Sequence, residues 1–116
     1  MDIGTDIIEV FRIKTAIEKY QELFLNKVYT IAEQEYCESK HLAKFQHYAG
    51  RFAAKEAIFK AISNIYKKSN ISWLDIEILN SKTGKPEVYL FKEKKENIKL
   101  SISHCNEYAT ATAILI

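Results

Sequence analysis

The chain has 116 residues, 47% of them hydrophobic and 28% charged, with a formal net charge of +2. That length fits a single domain over residues 1–116, able to bury about two-thirds of the surface its unfolded chain exposes. The near balance of charge excludes a nucleic-acid binder that works by bulk positive charge, and mildly favours acidic partners over basic ones.

In chain order, Ile3 to Ile8 reads as a short strand, with Ile3, Thr5 and Ile7 alternating with Gly4, Asp6 and Ile8. From Val10 to about Leu25 the apolar residues Val10, Ile13, Ile17, Tyr20 and Phe24 recur every three or four positions, which predicts a helix. Thr30-Ile31-Ala32-Glu33 has capping-box spacing and predicts the start of a second helix. Leu42 to about Tyr66 reads as the long helix of the protein. The period then changes. Trp73 to Leu79 and Glu87 to Phe91 read as strands joined by the turn Ser81-Lys82-Thr83-Gly84-Lys85-Pro86. Ile98 to His104 and Tyr108 to Ile116 alternate, and Asn106-Glu107 between them suits a tight hairpin. The expected architecture is α+β: an antiparallel sheet, joined by the early strand, packed against a long helix and shorter N-terminal helices.

No apolar stretch approaches the roughly 18 residues of a membrane span, and the start of the chain lacks the basic-then-apolar pattern of a signal peptide. Cys37 and Cys105 are far apart, without metal-ligand spacing, and are expected to be reduced thiols in a cytoplasmic protein.

Four groups of residues carry possible chemistry. On the long helix, Phe45, Ala49, Phe52, Phe59 and Ser63 project within roughly 60° of one another, and Glu56 falls inside that stripe. A carboxylate there is costly unless paired or metal-bound. Lys60, one turn on, supplies an ordinary ion-pair partner; a metal ligand or catalytic acid is the other reading. Asp6 is either a strand-end turn residue or, together with Glu56, half of a hard oxygen site suited to magnesium. His104 ends its strand either as a satisfied edge residue or as a donor to a ligand. Arg51, Lys55 and Lys60 form either the solvated flank of the helix or a phosphate-binding face. There is no GxGxxG and no Walker loop, so any phosphate must be held by side chains and metal.

Three segments resemble the bacterial holo-acyl-carrier-protein synthases, the stand-alone 4'-phosphopantetheinyl transferases. Ile3-Gly4-Thr5-Asp6-Ile7-Ile8-Glu9-Val10 with Arg12-Ile13 is similar to the family's opening motif. Gly50-Arg51-Phe52-Ala53-Ala54-Lys55-Glu56-Ala57 with Lys60-Ala61 is similar to its signature helix and is the most specific match. Ser101-Ile102-Ser103-His104 with Glu107-Tyr108-Ala109 is similar to its C-terminal strand pair, and Gly84-Lys85-Pro86 to a common family turn.

The resemblance implies a 4'-phosphopantetheinyl transferase fold. It implies transfer of phosphopantetheine from coenzyme A to a serine of an apo acyl carrier protein, with release of 3',5'-ADP, in the cytoplasm and in support of fatty acid biosynthesis. Asp6 and Glu56 would bind magnesium with the coenzyme A pyrophosphate, and Lys60 would neutralise phosphate charge or protonate the leaving group. Arg51 and His104 would contact coenzyme A, and Gly84-Lys85-Pro86 would lie near its nucleotide end. Arg12 would meet the acidic recognition helix of the carrier, and the assembly would be a homotrimer with active sites between subunits. No nucleic acid or membrane enters. The chain departs from many relatives after Ala61, where Ile62-Ser63-Asn64-Ile65-Tyr66-Lys67-Lys68 replaces a glycine-rich loop. The expectation is a longer helix, with Lys67 and Lys68 taking over contacts to phosphate. Rivals from other classes are a non-catalytic binding module and a magnesium-dependent phosphohydrolase that uses water in place of the serine.

Overall fold

In the computed structural model, which describes residues 1–116, the early alternation forms strand β1 (Asp2–Glu9). Ile3 and Ile7 point outward, 68% and 66% exposed, while Gly4 is buried and Asp6 and Ile8 are half-buried on the inner face.

The predicted helix over Val10–Leu25 is two helices, α1 (Val10–Tyr20) and α2 (Glu22–Val28). They break at Gln21, which adopts a φ of 50° while its N–H still donates to the Ile17 carbonyl. Val10, Ile13 and Ile17 bury as expected, but Tyr20 is exposed. The turn redirects the chain so that Val28 and Tyr29 reach the core instead. α3 (Ile31–Glu38) begins as read: the Glu33 N–H donates to Thr30 Oγ1 at 3.3 Å and the Thr30 N–H donates to Glu33 Oε1 at 2.9 Å.

The long helix α4 (Lys44–Ala61) is shorter than the predicted Leu42–Tyr66. It follows a 3-10 turn at His41–Ala43 and ends where the Ser63 hydroxyl takes the Lys60 carbonyl and the N–H groups of Ile65 and Tyr66 fold back onto the Ile62 carbonyl. Ile62 itself is buried, which anchors the turn. The expected extension of the helix towards Lys67 and Lys68 does not form. The chain turns at Lys68–Asn70 and again at Trp73–Asp75, each a single 3-10 turn. Trp73, read as the start of a strand, therefore precedes it.

The strands are β2 (Ile76–Asn80), β3 (Pro86–Leu90), β4 (Glu93–Lys94), β5 (Ile98–His104) and β6 (Tyr108–Leu115). They form two three-stranded antiparallel sheets, β1–β6–β5 and β2–β3–β4, instead of one; β3 lies beside β5. β4 follows a turn in which Phe91 and Lys92 both take positive φ, a turn without a glycine to signal it.

Small residues set how closely α4 approaches the first sheet. Ala53, Ala54, Ala57 and Ala61 lie in the same core as Ala111 and Ala113 of β6, all at most 1% exposed. Gly4, paired with Ala113, marks the tightest point. A Cβ at Gly4 would collide with the Ala57 carbonyl oxygen and stand 2.8 Å from the Ala61 nitrogen. Of the expected stripe, Ala49 and Phe59 are buried, Phe45 and Phe52 are half-buried and Ser63 is exposed, because the centre of the helix's buried face is made largely of alanines. Glu56 sits at the margin of that face, its side chain 18% exposed.

Candidate functional site

The close crossing of β1 over α4 creates the site. Asp6 is two residues beyond Gly4 on the inner face of β1, so it meets α4 one step from the tightest contact. Its Oδ1 lies 3.3 Å from Lys60 Nζ, which also donates to the Thr5 carbonyl at 2.8 Å. The Thr110 hydroxyl donates to the Asp6 carbonyl at 2.9 Å and fixes that part of the strand. Glu56 precedes Lys60 by one turn of α4, so the two are surface neighbours. The ordinary Glu56–Lys60 ion pair does not form: Lys60 turns to Asp6, and Glu56 Oε2 lies 3.5 Å from Lys68 Nζ.

The structure thus brings Lys60 to Asp6 at the crossing, with Glu56 one turn earlier on α4 and paired to Lys68. Each carboxylate is mostly covered, at 19% and 18% exposure, while its lysine is 52% or 69% exposed. Such pairs are held weakly and screened by solvent. The lysines can therefore give way to a stronger cation. No group of three or more His, Cys, Asp and Glu side chains converges anywhere in the chain. Two carboxylate oxygens with the remaining positions left to water and phosphate is a donor set that fits magnesium and does not fit zinc. Lys68 also lines an adjoining cavity of about 380 Å³ whose wall includes Phe59 and Trp73. Trp73 stacks on Phe52 at 4.8 Å and meets Phe59 edge-on at 5.5 Å.

Arg51 and Lys55, two of the cations read as a possible solvated flank, are both buried. Arg51 is 5% exposed and lies with its guanidinium 4.4 Å from the Tyr36 ring centroid. One terminal nitrogen donates to Asn80 Oδ1 at 3.1 Å, and its Nε is buried without a partner. Asn80 pairs with Pro86 across the β2–β3 hairpin, so the Gly84-Lys85-Pro86 turn stands next to Arg51. Gly84 has a φ of +86°, which favours glycine there. His104, at the exposed end of β5, packs its ring 4.9 Å from that of His47.

Lys55 is fully buried. Its ammonium donates to Glu33 Oε1 at 2.7 Å and to the carbonyls of Val28 and Trp73 at 2.6 and 3.0 Å. Burial pulls the Lys55 pKa down, and the charge of Glu33 opposes that shift. It ties α4 to α3 and to the chain leading into β2, and does not face a ligand. Sequence reading passed over Glu33 in this role, and over His47, Tyr36 and Asn80. An advance signal for Glu33 was its place in the capping box.

Arg12 stands apart on the exposed face of α1, with Phe11 and Lys19 along the same shallow groove. Of the two free thiols, Cys37 is buried, and burial pushes its pKa up to about 12, so it is a packing residue and not a nucleophile.

A family model for the 4'-phosphopantetheinyl transferase superfamily matches residues 2–113. Among curated relatives, holo-[acyl-carrier-protein] synthase of Protochlamydia amoebophila is 48% identical, covering 98% of this chain and 96% of its own. The enzyme of the same name from Ruminiclostridium cellulolyticum is 48% identical over 99% of this chain and 91% of its own. The fold is similar to that of the Helicobacter pylori holo-[acyl-carrier-protein] synthase in complex with coenzyme A, with a TM-score of 0.83 and 29% identity over 98% of this chain and 99% of that one. A Bacillus anthracis counterpart in complex with coenzyme A (3',5'-ADP) gives 0.81 and 36% identity over 98% and 94%.

Proposed function

The chain belongs to the holo-[acyl-carrier-protein] synthases of the 4'-phosphopantetheinyl transferase superfamily, and we propose that it performs their transfer at the crossing of β1 and α4, with magnesium held by Asp6 and Glu56. The enzyme moves the phosphopantetheine group of coenzyme A to a serine hydroxyl of an apo acyl carrier protein. The serine oxygen gives up its proton to solvent and forms a bond to the β-phosphorus as the bond from that phosphorus to the oxygen of 3',5'-ADP breaks. The observation that supports the site is the contact of Lys60 with Asp6 beside Gly4, one helical turn after Glu56.

A bound magnesium ion supplies charge neutralisation across the pyrophosphate. Lys60, already at Asp6 and half exposed, is free to shift its ammonium onto a phosphate oxygen and offset the charge of the leaving group. Glu56 would hold the metal in place of its ion pair with Lys68, whose ammonium borders the adjoining cavity and would be free to meet a phosphate. Arg51 and His104 hold the nucleotide end, supported by the turn that carries Lys85 and Pro86 beside Asn80. The direct test is a mass spectrum of apo acyl carrier protein after incubation with the enzyme, magnesium and coenzyme A. A gain of one phosphopantetheine per carrier is expected; an unchanged mass with folded components would refute the transferase reading.

Arg12 is proposed to engage an acidic helix of the carrier, since it is exposed on α1 beside Lys19 and away from the phosphate groups. Arg12→Glu is expected to raise KM for the carrier at least ~10-fold while changing KM for coenzyme A little. Equal effects on both would remove Arg12 from the docking face.

The assembly is proposed to be a homotrimer. Support comes from the outer face of the β1–β6–β5 sheet, where Ile3 pairs across to Ile114 and Ile7 is 66% exposed, and from Phe11 at the start of α1, 72% exposed. Sedimentation equilibrium is expected to give three chain masses; a monomer at micromolar concentration would sink this assignment. The reaction is placed in the cytoplasm, in the priming of carrier for fatty acid biosynthesis, which accords with two free thiols and with no helix long and apolar enough to cross a membrane.

A further inference from the structure

Around Arg51 the structure collects positive and ionisable nitrogen groups without an acid to balance them. Tyr36 and Lys40 approach from α3 and the turn after it, and Lys40 Nζ lies 4.8 Å from the Tyr36 ring centroid. Arg51 follows His47 by one turn on α4. His104 approaches from β5, its ring 4.9 Å from that of His47, and the His47 ring is 5.5 Å from Tyr36. The acidic residue at the end of α3, Glu38, is engaged elsewhere: the Tyr48 hydroxyl donates to it at 2.6 Å and Lys44 lies at 3.4 Å. The β5–β6 hairpin offers Asn106, which bonds to Gln46. No carboxylate pairs with Arg51, His47 or His104, and Arg51 keeps a buried nitrogen without a partner. Such a cluster is complete only when an anion enters it.

We propose that His47 is a proton-accepting member of this cluster, neutral in the free enzyme and protonated when a phosphate group settles beside Arg51 and His104. The inference rests on the reading of Arg51 and His104 as coenzyme ligands, and it adds a residue and a proton to that reading. In the free protein, burial first, and then the charges of His104, Lys40 and Arg51, lower the His47 pKa to about 4. A phosphate dianion reverses the sign of the local field, so the same imidazole gains a proton on binding. Coenzyme affinity then strengthens as pH falls, because only the bound state holds the extra proton.

The test follows the imidazole resonances of the wild-type enzyme by NMR through a pH titration, with and without 3',5'-ADP. Calorimetry in two buffers of different ionisation enthalpy counts the protons taken up. The His47 midpoint is expected to rise to about 7 or above in the complex, and Kd to weaken roughly three- to tenfold between pH 6.5 and 8. His47→Phe keeps a ring in place and is expected to remove most of that dependence while leaving measurable binding; the separate His104 resonance identifies its own contribution. A His47 midpoint unmoved in saturated enzyme would overturn the inference while leaving the coenzyme site intact. Failure of both 3',5'-ADP and coenzyme A to bind would overturn the coenzyme site and this inference together.

Discussion

Glu56→Gln is expected to lower kcat for phosphopantetheine transfer at least ~1,000-fold, equivalent to about 4 kcal/mol of transition-state stabilisation, with the thermal midpoint unchanged or slightly raised. Glu56 lies at the margin of the helix's buried face, and its single ion pair is with Lys68, itself 69% exposed. Loss of that pair costs at most about 1 kcal/mol, and glutamine has nearly the same shape. On the proposed assignment, the catalytic loss comes from removing an anionic oxygen from a metal site that has few protein ligands to spare. Asp6→Asn is expected to behave similarly, with an added effect on Lys60, whose ammonium would keep the Thr5 carbonyl but lose the charge beside it. Initial rates measured against magnesium concentration separate the two contributions. A weakened ligand set shifts the magnesium dependence upward, whereas a purely structural residue leaves it in place. Retention of a tenth or more of the parent's kcat by Glu56→Gln, at saturating magnesium, would remove Glu56 from the metal site.

Local features were legible in the amino-acid sequence where neighbouring residues decide them. The Thr30–Glu33 box, the β5 and β6 alternation and the turn at Gly84 depend on spacings of a few residues, and all occur as read. The break at Gln21 and the end of α4 at Ala61 were not legible. Neither carries a glycine or proline, and each is decided by which apolar residue the core accepts next, Val28 and Ile62 respectively. The split into two sheets depends on which strands find each other in space, and alternation within a strand is silent on that. The site divides in the same way. Motif order singled out Asp6, Glu56, Lys60 and Arg51 as candidates, but charge on a helix has no address. Helix spacing offered Glu56 to Lys60, whereas the fold delivers Lys60 to Asp6 across 54 residues and Lys68 to Glu56 across 12. Lys55, next to Glu56 in sequence and about 100° round the helix, points into the interior and finds Glu33. Alternating functions along three turns of one helix are separable only once its two faces are known.

That interior face sets the other large effect. Lys55→Met is expected to destabilise the fold by about 3–5 kcal/mol and to lower the thermal midpoint by roughly 10–20 °C. Lys55 and Glu33 are both fully buried, so neither can recover solvation when the other is removed. The variant leaves the Glu33 carboxylate with the N–H groups of Thr30 and Ile78, at 2.9 Å each, but without its counter-charge. It also leaves the carbonyls of Val28 and Trp73 without the ammonium they shared. Those groups belong to α2, α3, the turn before β2 and β2 itself, so a single ammonium holds several segments against α4. Glu33→Gln is expected to destabilise by a similar amount, since it strands the ammonium instead of the carboxylate, and the double variant to cost less than the sum. Urea denaturation measures all three. Kinetics below the lowered midpoint then distinguish the two faces of α4. Lys55→Met is expected to retain a far larger share of kcat than Glu56→Gln, because it loosens the scaffold without removing a group that meets the metal or the phosphate. A cost below about 1 kcal/mol for Lys55→Met would mean that Glu33 is satisfied by Thr30 and Ile78 alone, and that the interior of α4 does not depend on the pair.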